Sequence, residues 1–216
     1  MTHRLIVFDL DGTLVDSRRD LADAANALLV ECGGAPLSEE RVGRMVGDGA
    51  AVLVSRVFDG AGIDRPADAL PRFLELYDAR LLNHTRPYEG MERTLRTLHA
   101  RAPLAVLTNK PLAATRRILD GLDLARFFDA DAVLGGDGPF PRKPEAAGLR
   151  HLASRAGVPM ASTLLVGDST IDWETARRAS APICLARYGF GFEGFPLAQI
   201  REEDRGIDSP AELLQL

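Results

Sequence analysis

Cysteine, long apolar runs and excess positive charge are all scarce in this sequence. The 216 residues include two cysteines, Cys32 and Cys184, which lie far apart and lack metal-ligand spacing. A disulfide-rich scaffold is therefore excluded, and the two thiols are expected in the core of a protein from a reducing compartment. A net charge of −5 and a pI near 5.4 argue against nucleic acid or an anionic membrane surface as the partner.

The apolar runs are short. None approaches the roughly 20 residues that a membrane-spanning helix needs, and the N-terminus lacks the long apolar core of a signal peptide. We therefore expect a cytoplasmic protein without a membrane partner.

Lysine is almost absent. Of the 26 basic residues, 24 are arginine, and the two lysines are Lys110 and Lys143. Arginine replaces lysine readily on a surface, but not where a compact ammonium group must fit beside an anion. Both positions are therefore candidates for a site that binds an anion. For Lys110 the sequence leaves two alternatives, contact with a substrate or exposure to solvent.

Short, continuous apolar runs indicate the strands of a parallel sheet that is covered on both faces. The runs are Leu5–Phe8, Leu104–Thr108, Ala132–Leu134, Thr163–Val166 and Ile183–Ala186. Helical patterns separate the later runs, and Pro111 and Pro144 stand where first helical positions are expected. The alternation predicts an α/β fold with a doubly wound, Rossmann-like parallel sheet.

The segment between the first two strands has a different pattern. From about residue 17 to residue 82 we find helical periodicity only, with Ser17 and Asp20 placed as a helix cap and its partner. This predicts an all-helical cap domain, residues 16–83, inserted into a core domain made of residues 1–15 and 84–216.

The first strand runs directly into two carboxylates, Asp9 and Asp11. Residues i and i+2 of a strand share a face, so the two charges would repel each other unless a cation or a shared proton relieves them. Asp11-Gly12 also fits a simple turn. A calcium loop does not fit, because glycine stands at the fourth place of the loop rather than the sixth, and Asp20 rather than glutamate occupies the twelfth.

Other polar residues follow the later strands. Thr108, Asn109 and Lys110 follow the second, and GGDGPFPRKP after the third delivers Lys143. VGDSTID ends the fourth strand with Asp168 and Asp172. Open α/β sheets bind ligands beyond the carboxyl ends of their strands, so these groups are expected at one edge.

The chemistry of this set suits phosphoryl transfer. Carboxylates without a nearby histidine or cysteine favour Mg²⁺, and a hydroxyl with an ammonium suits a phosphate. An aspartate is able to attack phosphorus while a second carboxylate moves protons.

In this order, the motifs resemble the haloacid dehalogenase superfamily. Asp9-Leu10-Asp11-Gly12-Thr13 matches its first motif, Thr108 the second, Lys143 the third, and Gly167-Asp168 with Asp172 the fourth. Within it the chain is similar to the bacterial phosphoglycolate phosphatases, a subfamily, in stretches such as VGDGAAVLVSR and YGFG. Ser180 and the absence of Pro-x-Pro after Lys143 are departures.

The resemblance implies a role for each matched residue. Asp9 would be the nucleophile and Asp11 the general acid and base. Mg²⁺ would be held by Asp9, the Asp11 carbonyl and Asp168. Asp172 would support the metal or Lys143 without binding the metal directly. Thr108, Lys143 and amides near Asn109 would hold the phosphoryl group.

The expected function is hydrolysis of a small phosphorylated metabolite, 2-phosphoglycolate, by a monomer or homodimer. Arg41, Arg44 and Arg56 of the cap, with the loop Gly47–Gly49, are candidates for binding its carboxylate. A phosphomutase, a pyrophosphatase, a sugar phosphatase and an inert scaffold on the same fold remain open alternatives.

Overall fold

A parallel sheet forms the centre of the molecule. A computed structural model describes residues 3–193, 195–201 and 204–216. Within these ranges six parallel strands pair in the order β5-β4-β1-β6-β7-β8. The strands are β1 Leu5–Phe8, β4 Leu104–Leu107, β5 Val133–Leu134, β6 Thr163–Gly167, β7 Ile183–Ala186 and β8 Arg205–Ile207, and the short β2 Val15–Asp16 pairs with β3 Arg86–Pro87 in a separate ribbon.

The sheet is covered on both faces, as the continuous apolar runs predict. In β1, Ile6 and Phe8 belong to the core on one face. Leu5 and Val7 of the same strand belong to the core on the other face. Because successive strand residues point to opposite faces, both cores need an unbroken apolar strand. The doubly wound α/β fold is confirmed.

Helices cover the sheet, and the chain segment that connects β1 to β4 forms a separate group of helices. The helices are α1 Arg18–Glu31, α2 Glu39–Gly43, α3 Ala50–Ala61, α4 Ala69–Asp78, α5 Met91–His99, α6 Leu112–Gly121, α7 Ala147–Arg155 and α8 Thr170–Ala179. The first four pack on one another as the inserted helical cap. No helix of the described ranges combines the length and apolarity needed to cross a bilayer.

The chain leaves and re-enters the core through the ribbon of β2 and β3, which pairs Val15 with Pro87 and Asp16 with Arg86. The ribbon ties together the two connections between cap and core. We propose that the domain boundaries lie here, with the cap at residues 16–83.

Two local predictions were wrong. Pro144 does not open a helix, since α7 begins at Ala147. Ser17 stands at the N-cap of α1 but makes no side-chain capping bond. Its hydroxyl donates instead to Asp11 Oδ1 at 2.5 Å, in a short charge-assisted hydrogen bond.

Asp20 also has a different partner from the one expected. Its buried carboxylate accepts hydrogen bonds from the backbone N–H of His84 at 2.9 Å and of Thr85 at 2.7 Å. The Thr85 hydroxyl donates to the same carboxylate at 2.7 Å. Asp20 therefore fastens α1 to the segment that returns from the cap to the core.

Replacing Asp20 with alanine is expected to lower the free energy of unfolding by about 3 kcal/mol, because buried donors lose a charged acceptor. Urea denaturation followed by circular dichroism measures the loss. Asp23→Ala on the exposed side of α1 is the matched control, with an expected change within about 0.5 kcal/mol. Equal losses in the two variants would contradict the role given to Asp20.

Candidate active site

The carboxyl edge of the sheet gathers the side chains that the motifs single out. Asp9 follows β1, Thr108 follows β4, and Asp168 follows β6. Since β1 lies between β4 and β6, the three positions come from neighbouring strands. All three side chains are buried. The edge is thus a compact polar floor at the place where open α/β sheets bind ligands.

Lys143 reaches this edge from the segment that follows β5. Its Nζ lies 2.8 Å from Asp9 Oδ1 and 2.6 Å from Asp172 Oδ1. Burial alone would lower the pKa of Lys143, but Asp172 and Asp9 outweigh it and the pKa is raised. The buried ammonium group therefore stays charged beside Asp9.

Asp172 holds Lys143 in place. It is the third residue of α8, where its Oδ2 accepts hydrogen bonds from the Ser169 N–H at 3.1 Å and the Ser169 hydroxyl at 2.6 Å. The Ser169 hydroxyl also accepts from the Asp172 N–H, which completes a capping box. The helix start thereby fixes the carboxylate that faces Lys143.

Asp9, Asp168 and Asp172 form a buried group of carboxylates, each offering an oxygen within 4.8 Å of the others. Burial, opposed by Lys143, raises the pKa of Asp9 to about 6. Burial and the charge of Asp172 raise the pKa of Asp168 well above its ordinary value. Asp9 Oδ1 is buried and close to Lys143, but it accepts no aligned hydrogen bond from any residue that the structure describes.

These properties fit a hard divalent cation. The donors are all oxygen and are negatively charged. Burial is the main cause of the two raised pKa values and mutual repulsion adds to it, so a cation would compensate the buried charge. The group contains Asp172, which the resemblance does not count among the direct metal ligands. Among the described residues, the Asp11 carboxylate does not belong to this group.

Three glycines enclose Asp168. A Cβ on Gly12 would lie 1.9 Å from Asp168 Oδ2, and one on Gly189 would lie 2.3 Å from the Asp168 Cβ. The Gly191 N–H donates to Asp168 Oδ2 at 2.7 Å. The backbone therefore approaches this carboxylate more closely than any side chain would allow. The sequence points to Gly189 and Gly191 only as part of YGFG, and gives them no role.

Asp11 faces away from the carboxylate group, towards the cap. Lys110 Nζ donates to its Oδ1 at 3.0 Å and to its Oδ2 at 2.9 Å. The same Nζ donates to the Tyr77 hydroxyl at 2.7 Å and lies 4.5 Å from the centre of that ring. Lys110 is buried, so exposure to solvent, one of its two alternatives, is excluded.

Asn109 connects the core with the cap. Its Nδ2 donates to the carbonyl oxygens of Gly47 and Lys143, at 2.9 Å each. Its Oδ1 is buried and accepts no hydrogen bond from the residues that the structure describes. The side chain of Asn109 therefore fixes the segment before α3 against the segment that carries Lys143.

A cavity of about 400 Å³ lies between the cap and this polar floor. Its floor is formed by Asp9, Asp11, Thr108, Asn109, Lys110 and Asp168, and its walls include Leu21, Leu53, Phe73, Leu74, Leu81, Ala113 and Ala114. Gly47 and Gly49 also line it, as expected of the cap loop.

The three arginines expected at the cavity lie elsewhere. Arg41 donates to the Gly60 carbonyl, Arg44 pairs with Glu193, and Arg56 pairs with Asp48. None of them lines the cavity. These candidates are therefore not placed to receive a carboxylate in the cavity, because Arg41 and Arg56 are bound to partners within the cap and Arg44 to Glu193 of the core.

Residues 6–186 match the family described as haloacid dehalogenase-like hydrolase. The chain belongs to this family. A phosphoglycolate phosphatase of Rhodospirillum rubrum is 42% identical over 207 residues, which cover 91% of this chain and 84% of the relative. A phosphoglycolate phosphatase of Pseudomonas fluorescens Pf0-1 is 37% identical over 206 residues, covering 91% and 73%.

Solved structures support the same class. The crystal structure of a predicted phosphoglycolate phosphatase from Haemophilus somnus 129PT matches with a TM-score of 0.90 and 32% identity. The match covers 100% of this chain and 98% of that chain. The protein is a phosphatase of the haloacid dehalogenase-like family, a phosphoric monoester hydrolase.

Proposed function

We propose that this phosphatase hydrolyses 2-phosphoglycolate to glycolate and phosphate, with Mg²⁺, through an aspartyl-phosphate on Asp9. The observation that supports the mechanism best is the surroundings of Asp9. The Asp9 side chain lines the cavity, and its buried Oδ1 lies 2.8 Å from the charged Lys143 without an aligned hydrogen bond. The named activity of the relatives supports the substrate.

The carboxylate group supports a magnesium site. Asp9, Asp168 and the Asp11 carbonyl would hold the ion, and Asp172 would orient Lys143 beside it. When bound, Mg²⁺ would offset negative charge on the phosphoryl oxygens.

The first half of the reaction transfers the phosphoryl group to the protein. An oxygen of Asp9 attacks phosphorus, and the bond from phosphorus to the ester oxygen breaks. The departing oxygen takes a proton from Asp11 and leaves as the hydroxyl group of glycolate. Lys143 and the Thr108 hydroxyl would stabilise charge on the phosphoryl oxygens.

The second half returns the protein to its starting state. Asp11, now a carboxylate, takes a proton from water as the water oxygen attacks phosphorus. The bond to Asp9 breaks, inorganic phosphate leaves, and Asp11 is protonated again. The helical cap over the cavity would limit competing access of bulk water.

A panel of phosphorylated metabolites tests this proposal. We expect phosphate release from 2-phosphoglycolate with Mg²⁺, and none after EDTA or with Asp9→Asn. Product analysis with a sugar phosphate separates hydrolysis from phosphomutase activity. A higher kcat/KM for a sugar phosphate or for pyrophosphate would contradict the proposed substrate.

We further propose a cytoplasmic location, which is supported by two free cysteines and by the buried position of Cys184. A monomer or homodimer is the proposed state, and sedimentation of the purified protein measures it.

Replacing Gly191 with alanine is expected to weaken Mg²⁺ binding about 10–100-fold, the usual effect of disturbing a ligand's support. A Cβ there would lie 2.7 Å from Asp168 Oδ2. It would displace the Gly191 N–H, from which this oxygen accepts a hydrogen bond. Calorimetric titration with Mg²⁺ measures the change. Gly138→Ala is the control, because its Cβ would meet only the Gly135 oxygen at 3.3 Å. Unchanged affinity in Gly191→Ala would contradict the role of this backbone segment.

A further inference from the structure

The proposed substrate carries a carboxylate as well as a phosphate, and the cavity offers one described cation for it. Lys110 is the single basic residue among the described residues that line the cavity. The acidic residues that line it are Asp9, Asp11, Glu75, Asp78 and Asp168. In such surroundings an anionic group binds only where a fixed cation compensates the negative charge.

Lys110 lies where a short substrate would need a cation. In 2-phosphoglycolate the carboxylate carbon is two bonds from the ester oxygen that leaves. In the proposed reaction Asp11 protonates that oxygen, and Lys110 Nζ is 2.9 Å from Asp11 Oδ2. A carboxylate so close to the departing oxygen can therefore reach the ammonium group.

Tyr77 completes the arrangement from the cap. Burial raises the pKa of Tyr77 to about 12, so its hydroxyl keeps its proton. The hydroxyl oxygen accepts from Lys110 Nζ at 2.7 Å, which leaves the hydroxyl proton available to an acceptor in the cavity. One donor from the core and one from α4 of the cap are thus adjacent.

Both carboxylate oxygens of Asp11 accept hydrogen bonds in this structure. Oδ1 accepts from Ser17 and Lys110, and Oδ2 accepts from Lys110. A general acid needs one oxygen free to reach the departing group. A substrate carboxylate that takes over Lys110 would release Asp11 for this step.

We propose that Lys110 and Tyr77 bind the substrate's carboxylate, and that this exchange of partners frees Asp11 to protonate the leaving oxygen. The inference rests on the proposed function. It makes Lys110 and Tyr77 the residues that select acidic phosphomonoesters over neutral ones. It also assigns the cap a direct contact with the leaving group, through α4.

A matched pair of substrates tests this inference. Ethyl phosphate replaces the carboxylate of 2-phosphoglycolate with a methyl group and keeps the phosphate. The measured quantity is the ratio of kcat/KM for 2-phosphoglycolate to kcat/KM for ethyl phosphate. Both substrates are assayed on one preparation, so a reduced folded fraction cancels from the ratio.

The wild type is expected to favour 2-phosphoglycolate, and Lys110→Met to reduce the ratio by about 10–100-fold, the effect of losing a charge-assisted hydrogen bond. Tyr77→Phe keeps the ammonium group and removes one donor, so a smaller decrease of about 5-fold is expected. Arg116→Met is the charge-matched control on the exposed face of α6, where Arg116 donates to the Ala130 carbonyl. Its ratio should equal that of the wild type.

Two results would overturn the inference, and they are distinguishable. If Lys110→Met slows both substrates equally, Lys110 only positions Asp11 and does not bind the carboxylate. If the wild type releases no more phosphate from 2-phosphoglycolate than Asp9→Asn does, the proposed substrate fails and the inference fails with it.

Discussion

Asp9→Asn is expected to reduce phosphate release by ~10⁵–10⁶-fold, the scale on which the loss of a catalytic nucleophile is felt. An amide oxygen is too weak a nucleophile to attack phosphorus. The fold should survive, because asparagine has the same shape and removes one charge from a crowded group of buried carboxylates. Steady-state phosphate release with 2-phosphoglycolate and Mg²⁺ measures the loss.

Thermal unfolding is the control for Asp9→Asn. The variant should unfold at or above the wild-type temperature, since Lys143 retains Asp172 as its partner at 2.6 Å. Appreciable turnover by a folded Asp9→Asn variant would contradict the assignment of Asp9 as the nucleophile.

Asp11→Asn is expected to slow the reaction by ~10²–10⁴-fold, the usual contribution of general acid and base catalysis. Asparagine cannot protonate the leaving oxygen or accept a proton from water. It still accepts a hydrogen bond through its amide oxygen, so Ser17 keeps a partner. The rate with 2-phosphoglycolate measures the effect.

The leaving group provides the control for Asp11. p-Nitrophenyl phosphate has a leaving group that departs without protonation, so the first step should tolerate Asp11→Asn. A burst of p-nitrophenol followed by slow turnover is expected, because the second step still lacks its base. A near-normal rate with 2-phosphoglycolate would mean that another group moves the proton.

The sequence predicts the floor of the site because elementary sheet geometry determines it. Parallel strands end at one edge, so residues that follow β1, β4 and β6 must meet there. Asp9, Thr108 and Asp168 are predictable in this way because their meeting depends on strand order and not on the packing of distant side chains. Continuous apolar strands likewise determine the doubly wound fold.

The remaining contacts depend on packing between distant segments, which local pattern does not determine. Lys110 meets Tyr77 only because α4 of the cap packs above the core. Gly191 meets Asp168 because the segment after β7 folds back over the floor. Asp20 accepts hydrogen bonds from Thr85, which is distant in sequence, and not from the N-cap residue of its own helix. Two sequence signals point to Lys110, the scarcity of lysine and its position after the second predicted strand, but neither points to Tyr77.

Mass spectrometry of the protein during turnover tests most directly whether hydrolysis passes through an aspartyl-phosphate on Asp9. Wild-type protein with Mg²⁺ and 2-phosphoglycolate is quenched in acid within one turnover and digested. A phosphoryl group is expected on the peptide that contains Asp9, and none in Asp9→Asn. Rapid phosphate release by the wild type with no phosphoryl group on Asp9, or with one on another residue, would contradict this mechanism.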